Sequence, residues 1–109
     1  MAKIVKDGTP MVVVEQVHRN KGAIPGMGGV YVITNPLCGG AIEYIGQSAC
    51  LRQRLFAHQH PWVRIPALLS GWDAIFYLID DEQERKATEV RLIQSCCPRM
   101  NVAHNRRRL

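Results

Sequence analysis

The stretch of sequence that decides the fold is residues 29–46, GVYVITNPLCGGAIEYIG. Its two ends, GVYVIT and AIEYIG, are rich in β-branched, aromatic and other apolar side chains, which is typical of β-strands. The six residues between them, NPLCGG, are types that favour turns. Because the connection is short, we expect the two strands to form an antiparallel hairpin. Tyr31 and Tyr44 would then lie on paired strands, where aromatic side chains can pack against each other.

The segments after the hairpin alternate between helical and extended patterns. A helix is predicted over about residues 49–59, with Ser48 at its N-cap, followed by a third strand over residues 72–79. A last helix is predicted to begin after Asp80 or Asp81 and to run to about residue 97, before a proline.

The residue types of three other segments indicate their secondary structure less clearly. Residues 11–17 are apolar enough for a short strand or for one or two helical turns, and their periodicity does not choose between them. Residues 20–29 contain four glycines and a proline and are predicted to be a loop, and a short helix is allowed near residues 66–69. The predicted fold class is therefore α/β (α+β), with a small three-stranded, mainly antiparallel sheet flanked by helices in the order β-β-α-β-α.

Composition narrows the class of protein. The chain has 109 residues, 47% hydrophobic and 21% charged, which predicts one globular domain and excludes a disordered tail. Fourteen Lys and Arg residues against nine Asp and Glu residues leave a net charge of +5, which favours nucleic acid or another polyanion as partner. No apolar run is long enough for a membrane helix or a signal peptide, so we expect no membrane partner and a cytoplasmic or nucleoid-associated location. The four cysteines lack CxxC spacing, which argues against a zinc knuckle.

Several polar residues do not fit a plain core. Glu89 lies on the same arc of the last helix as Leu92 and Ile93, so its carboxylate needs a partner, a metal, or a route into water. Arg54 and His58 are i, i+4 neighbours on the first helix, where they either form a solvated face or grip phosphate. The tail ends in three arginines that are either solvated or in contact with phosphate: Arg106, Arg107 and Arg108.

These residues together resemble the motifs of the GIY-YIG nuclease domain. The sequence has Gly-Val-Tyr at residues 29–31 and Tyr-Ile-Gly at residues 44–46, followed by a helix that carries Arg54 and His58. Residues 89–93 resemble the E-x-x-L-I pattern of that family, and residues 98–101 resemble its P-x-x-N pattern. The resemblance covers about residues 25–102 within a single domain of residues 1–109, with a short N-terminal extension and a basic C-terminal tail.

The resemblance implies a metal-dependent endonuclease that hydrolyses phosphodiester bonds, mostly in DNA, with Mg²⁺ or Mn²⁺ as cofactor. Glu89 would be the protein ligand to the metal, and Arg54 would hold the scissile phosphate. One tyrosine would accept a proton from the attacking water; Tyr44 is preferred over Tyr31, but the sequence leaves both open. His58 would contact phosphate or relay a proton.

The resemblance also implies a nucleic-acid surface and leaves the biological setting open. The residues expected to bind DNA are Arg52, Arg54, Asn101, Arg106, Arg107 and Arg108. Asn101 could also tie the last loop to the site through its side chain. RNA is not excluded as a substrate, and a homodimer or a protein partner could supply target choice. The alternative is a catalytically silent nucleic-acid-binding module or a subunit of a larger nucleoprotein complex. Repair, restriction, homing and recombination all remain possible settings.

Overall fold

The computed structural model describes residues 5–56 and 71–98. Within these residues one sheet is flanked by two helices, and two short 3₁₀ turns lie in the connections. In chain order the elements are β1 (Met11–Val14), β2 (Gly29–Asn35), β3 (Ala41–Ser48), α1 (Leu51–Phe56), β4 (Asp73–Leu78) and α2 (Glu82–Cys96), with the 3₁₀ turns at Lys21–Ala23 and Pro36–Cys38.

The sheet has four strands in the order β1-β4-β2-β3, and every neighbouring pair is antiparallel. The predicted class is confirmed, but the predicted count of three strands is wrong. The additional strand is β1, which pairs with β4 from Met11 opposite Tyr77 to Val14 opposite Ala74. A short apolar run has no period that distinguishes strand from helix, and here the open edge of β4 decides the outcome.

The hairpin of β2 and β3 contains a β-bulge next to Tyr44. Ile33 is paired with Tyr44, but the next residue of β2 is paired with Ile42, so Glu43 is the extra residue on β3. The Glu43 side chain is buried, with 1% of its surface exposed. Its carboxylate accepts a hydrogen bond of 3.3 Å from the Asn35 amide. The bulge therefore contains a buried, hydrogen-bonded acid.

The two faces of the sheet carry separate hydrophobic clusters. On one face, Leu51 and Leu55 of α1 pack with Tyr31 and Phe76, together with apolar residues from the connection before β2. On the other face, Leu92 and Ile93 of α2 belong to the cluster that contains Val30, Val32 and Ile45. The sheet therefore separates α1 from α2, and any site shared by the two helices must lie at a sheet edge.

Helix α1 is held in place by the connection that precedes β2. The backbone N–H groups of Leu51 and Arg52 donate to the carbonyls of Met27 and Pro25 at 2.8 and 3.1 Å. These bonds satisfy donors that the first turn of a helix leaves unpaired. The predicted helix over residues 49–59 is observed as Leu51–Phe56, while residues 57–59 and the predicted short helix near 66–69 lie outside the described residues.

Helix α2 has a cap at each end. The Asp81 carboxylate accepts a hydrogen bond of 2.8 Å from the backbone N–H of Glu84. The helix ends at Cys96, and Cys97 follows in the left-handed conformation with φ of 46°. The prediction of a helix from Asp80 or Asp81 to about residue 97 is therefore confirmed. Across the described ranges, neither helix combines the length and the apolar composition required to span a membrane.

Candidate active site

The two motif tyrosines contact each other on the α1 face of the hairpin. The ring centroids of Tyr31 and Tyr44 are 5.9 Å apart, with the ring planes inclined by 32°. Burial raises the pKa of both hydroxyls. The hydrogen bond between the two hydroxyls raises the pKa of Tyr31 and lowers that of Tyr44. The predicted contact across the strands is confirmed.

The glycines of both motifs are required by close approaches of neighbouring atoms. A β-carbon at Gly46 would overlap the hydroxyl and the Cζ atom of Tyr31, which is its partner across β2 and β3. A β-carbon at Gly29 would overlap the carbonyl of Tyr77 on β4 and lie 2.9 Å from Leu51 Cδ1. Gly46 therefore admits the tyrosine ring, and Gly29 admits the backbone of β4 and the Leu51 side chain of α1.

Arg54 brings positive charge from α1 to the tyrosines. Its guanidinium donates a hydrogen bond to the Tyr31 hydroxyl, and its charge counters the effect of burial on the pKa of Tyr31, Tyr44 and Glu89. The side chain is otherwise exposed. It also borders an open pocket of about 290 Å³, which is lined by Ser48, Ala49, Cys50, Gln53 and Arg54. One side of the Arg54 guanidinium is therefore hydrogen-bonded to Tyr31, and another side is open to solvent.

Glu89 approaches the same place from α2. The side chain is half-buried, and burial raises the pKa of its carboxyl, while the charge of Arg54 lowers it. The Glu89 charge in turn raises the pKa of Tyr44. Because β3 is an edge strand, a side chain of α2 can interact past this edge with the α1 face. Glu89 is therefore neither fully exposed to water nor enclosed in the apolar core.

The remaining predicted site residues either have a structural contact outside this cluster or lie outside the described residues. The Arg52 Nε–H donates a hydrogen bond of 2.9 Å to the carbonyl of Ile24, which gives this arginine a structural contact. The structure therefore brings together Tyr31, Tyr44, Arg54 and Glu89. Five predicted residues lie outside the described residues: His58, Asn101, Arg106, Arg107 and Arg108.

A buried arginine next to the site was missed from the sequence. Arg85 is 5% exposed, and its guanidinium donates to the Gln47 side chain at 2.8 Å and to the Asp80 carbonyl at 3.0 Å. It thereby connects α2 to the ends of β3 and β4. The helical periodicity that singles out Glu89 could have found it, because Arg85, Thr88 and Leu92 recur at i, i+3 and i+7 on the buried face.

The fold is that of the GIY-YIG endonuclease domains. Two solved structures of the GIY-YIG N-terminal endonuclease domain of UvrC from Thermotoga maritima superpose on this chain with a TM-score of 0.61. They are 23% and 24% identical to it, and each alignment covers 80% of this chain and 96% of the other. Each is a variant with one tyrosine replaced by phenylalanine, bound to the catalytic divalent cation.

These similarities confirm at the level of the fold the resemblance stated from the motifs. No protein-family model and no curated protein matches the sequence. The fold is thus known from solved structures, and the activity has to be argued from the site itself.

Proposed function

We propose that this chain is a metal-dependent endonuclease that hydrolyses phosphodiester bonds in DNA. The observation that carries the proposal is the convergence of Tyr31, Tyr44, Arg54 and Glu89 from four different elements at the β3 edge. The fold adds support, because the similar structures are endonuclease domains bound to a catalytic divalent cation.

The proposed cation ligand is Glu89. Its half-buried carboxylate has a raised pKa, so burial of the charged form is unfavourable without more positive charge than Arg54 provides. No cluster of three or more His, Cys, Asp or Glu side chains that could hold a metal occurs in residues 5–56 and 71–98. A single carboxylate suits Mg²⁺ or Mn²⁺, since Mg²⁺ keeps several waters and takes few protein ligands. Such a cation, when bound, supplies charge that stabilises the phosphate and the leaving oxygen.

Arg54 holds the scissile phosphate. A guanidinium can donate two parallel hydrogen bonds to phosphate oxygens, and its charge stabilises the additional negative charge of the transition state. The hydrogen bond to Tyr31 fixes the orientation of the guanidinium before substrate binds. The open side of Arg54, towards the pocket lined by Ser48 and Gln53, leaves room for the phosphate.

Tyr44 accepts the proton of the attacking water. Burial raises the pKa of both tyrosines, but their mutual hydrogen bond opposes that rise for Tyr44 and adds to it for Tyr31, so Tyr44 is the better candidate. Tyr31 is 1% exposed and positions Tyr44 through this hydrogen bond. The remaining proposed roles are a phosphate contact or proton relay for His58 and DNA contacts for Arg52, Asn101, Arg106, Arg107 and Arg108.

The test is cleavage of supercoiled plasmid, of branched and flapped DNA, and of RNA, in Mg²⁺, in Mn²⁺ and in EDTA. We expect cleavage of DNA that requires the cation and falls at least about 100-fold in Glu89→Gln and in Arg54→Ala. The matched control is Glu82→Gln, the same substitution at an exposed position of α2 where the carboxylate pairs with Lys86 at 3.1 Å. It should cleave like the wild type.

Three results would count against the proposal. Undiminished cleavage in Glu89→Gln would remove the metal-ligand role, and undiminished cleavage in Arg54→Ala would remove the phosphate role. Tight DNA binding with no cleavage of any substrate would favour the silent binding module instead.

A further inference from the structure

The charges of the chain are segregated along the sequence. Residues 16–72 contain five Lys and Arg residues and a single acid, Glu43, whose side chain is buried. Residues 73–98 contain six acids against three Lys and Arg residues. The surface acids of the described residues therefore lie in residues 5–15 and 73–98, and three of these eight acids are on α2. The α1 side of the molecule is left predominantly basic.

A turn with two buried ends carries two of the cations on that side. Residues 17–24, here called the basic turn, are anchored by Val17 and Ile24, both 0% exposed. The Val17 N–H donates to the Trp72 carbonyl at 2.9 Å. Between these anchors, Arg19 is exposed and Lys21 is partly exposed. Burial lowers the pKa of His18, and the charges of Lys21 and Arg19 lower it further. Two cations are thus held near one another on a fixed backbone.

Acidic residues border the basic turn at its base. Residues 17–24 contain no Asp or Glu. Glu15 precedes the turn in sequence, and an Asp73 carboxylate oxygen accepts a hydrogen bond of 2.9 Å from the Gln16 backbone N–H. Asp73 therefore binds the backbone at Gln16, immediately before Val17, the first buried residue of the turn.

Arg52 connects the basic turn to the candidate active site. Its Nε–H bonds the carbonyl of Ile24, the last residue of the turn, while Arg54 bonds Tyr31. Residues two apart on a helix point about 200° apart, so these arginines leave α1 on opposite sides. The cations then follow one path from the tyrosines, across α1, to Lys21 and Arg19. A helix is about 10–12 Å wide, which corresponds to roughly three base-pair steps of about 3.4 Å along the axis of a DNA duplex.

We propose that this path, formed by Arg52, Lys21 and Arg19, is a surface that binds the phosphate backbone of duplex DNA beside the cleaved bond. The proposal rests on the proposed function and deepens it, since it assigns non-specific DNA affinity to a particular face. Contacts to phosphate position a duplex and carry no sequence information, so binding through this face is insensitive to base sequence.

The experiment measures binding of the wild-type chain to a 20-base-pair duplex in EDTA over a series of salt concentrations. The test variant is Arg19→Gln with Lys21→Gln, which leaves both buried anchors and the Arg52 bond in place. The matched control is Lys6→Gln with Lys86→Gln, two cations that pair with Glu84 and Glu82 on the acidic side. Both variants lower the net charge by the same amount. Thermal unfolding of each verifies that it is folded.

We expect the test variant to bind about ten-fold more weakly at low salt, and the slope of log K against log salt to become shallower by about 1.8, because each lost phosphate contact removes about 0.9. The control should keep the wild-type slope. Equal losses in both variants, or no loss in the test variant, would overturn the proposal, and so would the absence of duplex binding by the wild type.

The two proposals fail in different ways. Binding is measured without a cation, so it does not depend on cleavage. A difference between the variants without any cleavage would leave the DNA surface standing and remove the endonuclease. Cleavage by the wild type without a difference between the variants would do the reverse.

Discussion

Tyr31 lies directly over the α-carbon of Gly46, its partner across β2 and β3. The hydroxyl at the end of that ring is hydrogen-bonded to Tyr44 and accepts a hydrogen bond from Arg54. The position of one ring therefore sets the geometry of the two groups to which we assign the proton transfer and the phosphate contact. The glycine makes that position possible, because any side chain there would occupy the space of the ring.

Replacing Gly46 with alanine tests this relationship. The added methyl group overlaps the Tyr31 ring, so the ring or β3 has to shift, and we expect a loss of about 1–3 kcal/mol in the free energy of unfolding. The cleavage rate should fall by more than the loss of folded protein would explain. Gly22→Ala is the control, because no atom lies within 4 Å of the added carbon. Urea unfolding and plasmid cleavage measure both effects, and a fully active Gly46→Ala variant would contradict the assignment.

The two tyrosines should respond differently to removal of their hydroxyls. The proposed base acts in its deprotonated form, so cleavage by the wild type should rise with pH until Tyr44 titrates. Burial raises the pKa of Tyr44, and Tyr31→Phe removes a hydrogen bond that opposes this rise, so its rate should lie below the wild-type rate at each pH while still rising with pH. Tyr44→Phe should remove the rising limb altogether. Rates measured between about pH 6 and pH 10 separate the two, and exchanged profiles would assign the base to Tyr31.

The bulge beside Tyr44 depends on the Asn35 side chain. Its amide donates to Glu43, and its carbonyl oxygen accepts from the Leu37 N–H at 3.0 Å. Asn35→Ala removes both bonds and should lower the free energy of unfolding by about 1–3 kcal/mol. Asn35→Asp keeps the acceptor but places a second carboxylate beside Glu43.

Two adjacent buried carboxyls cannot both ionise easily, so the pKa of one is raised in the folded chain relative to the unfolded chain. A group with a raised folded pKa stabilises the protein below its unfolded pKa and loses that contribution as pH rises. The stability of Asn35→Asp relative to the wild type should therefore be greater near pH 4 than at pH 7. Urea unfolding at both values checks this, and parallel pH dependences would show that the two side chains do not interact.

Buried Arg85 should matter for stability more than any exposed cation of α2. Arg85→Met leaves the Gln47 side chain and the carbonyls of Ile79 and Asp80 without this donor, at a cost of about 2–4 kcal/mol. Arg91→Met makes the same substitution on the same helix at a side chain that is 38% exposed, and it should lose much less. Urea unfolding of both variants provides the comparison. Equal losses would mean that the hydrogen bonds of Arg85 contribute little.

Local patterns were enough to predict the hairpin and α2. Alternating β-branched and aromatic residues on either side of a turn predicted β2 and β3, and a capping aspartate and a following proline delimited α2. The tyrosine contact followed from that hairpin. The fourth strand did not follow, because Met11–Val14 has no decisive period and becomes a strand through pairing with β4.

The sequence by itself determined the hairpin, the two capped ends of α2, the excess of positive charge and the residue types of the candidate site. Such features depend on near neighbours in the chain, through turn chemistry, periodicity and local hydrogen bonds. Only the tertiary structure decided that Tyr31 and Tyr44 are hydrogen-bonded, that Arg85 is buried against Gln47, and that the charge of Arg54 acts on Glu89 although the two residues lie on helices on opposite faces. Those relationships join residues far apart in the chain, and their energies arise from burial and charge that exist once the sheet has assembled.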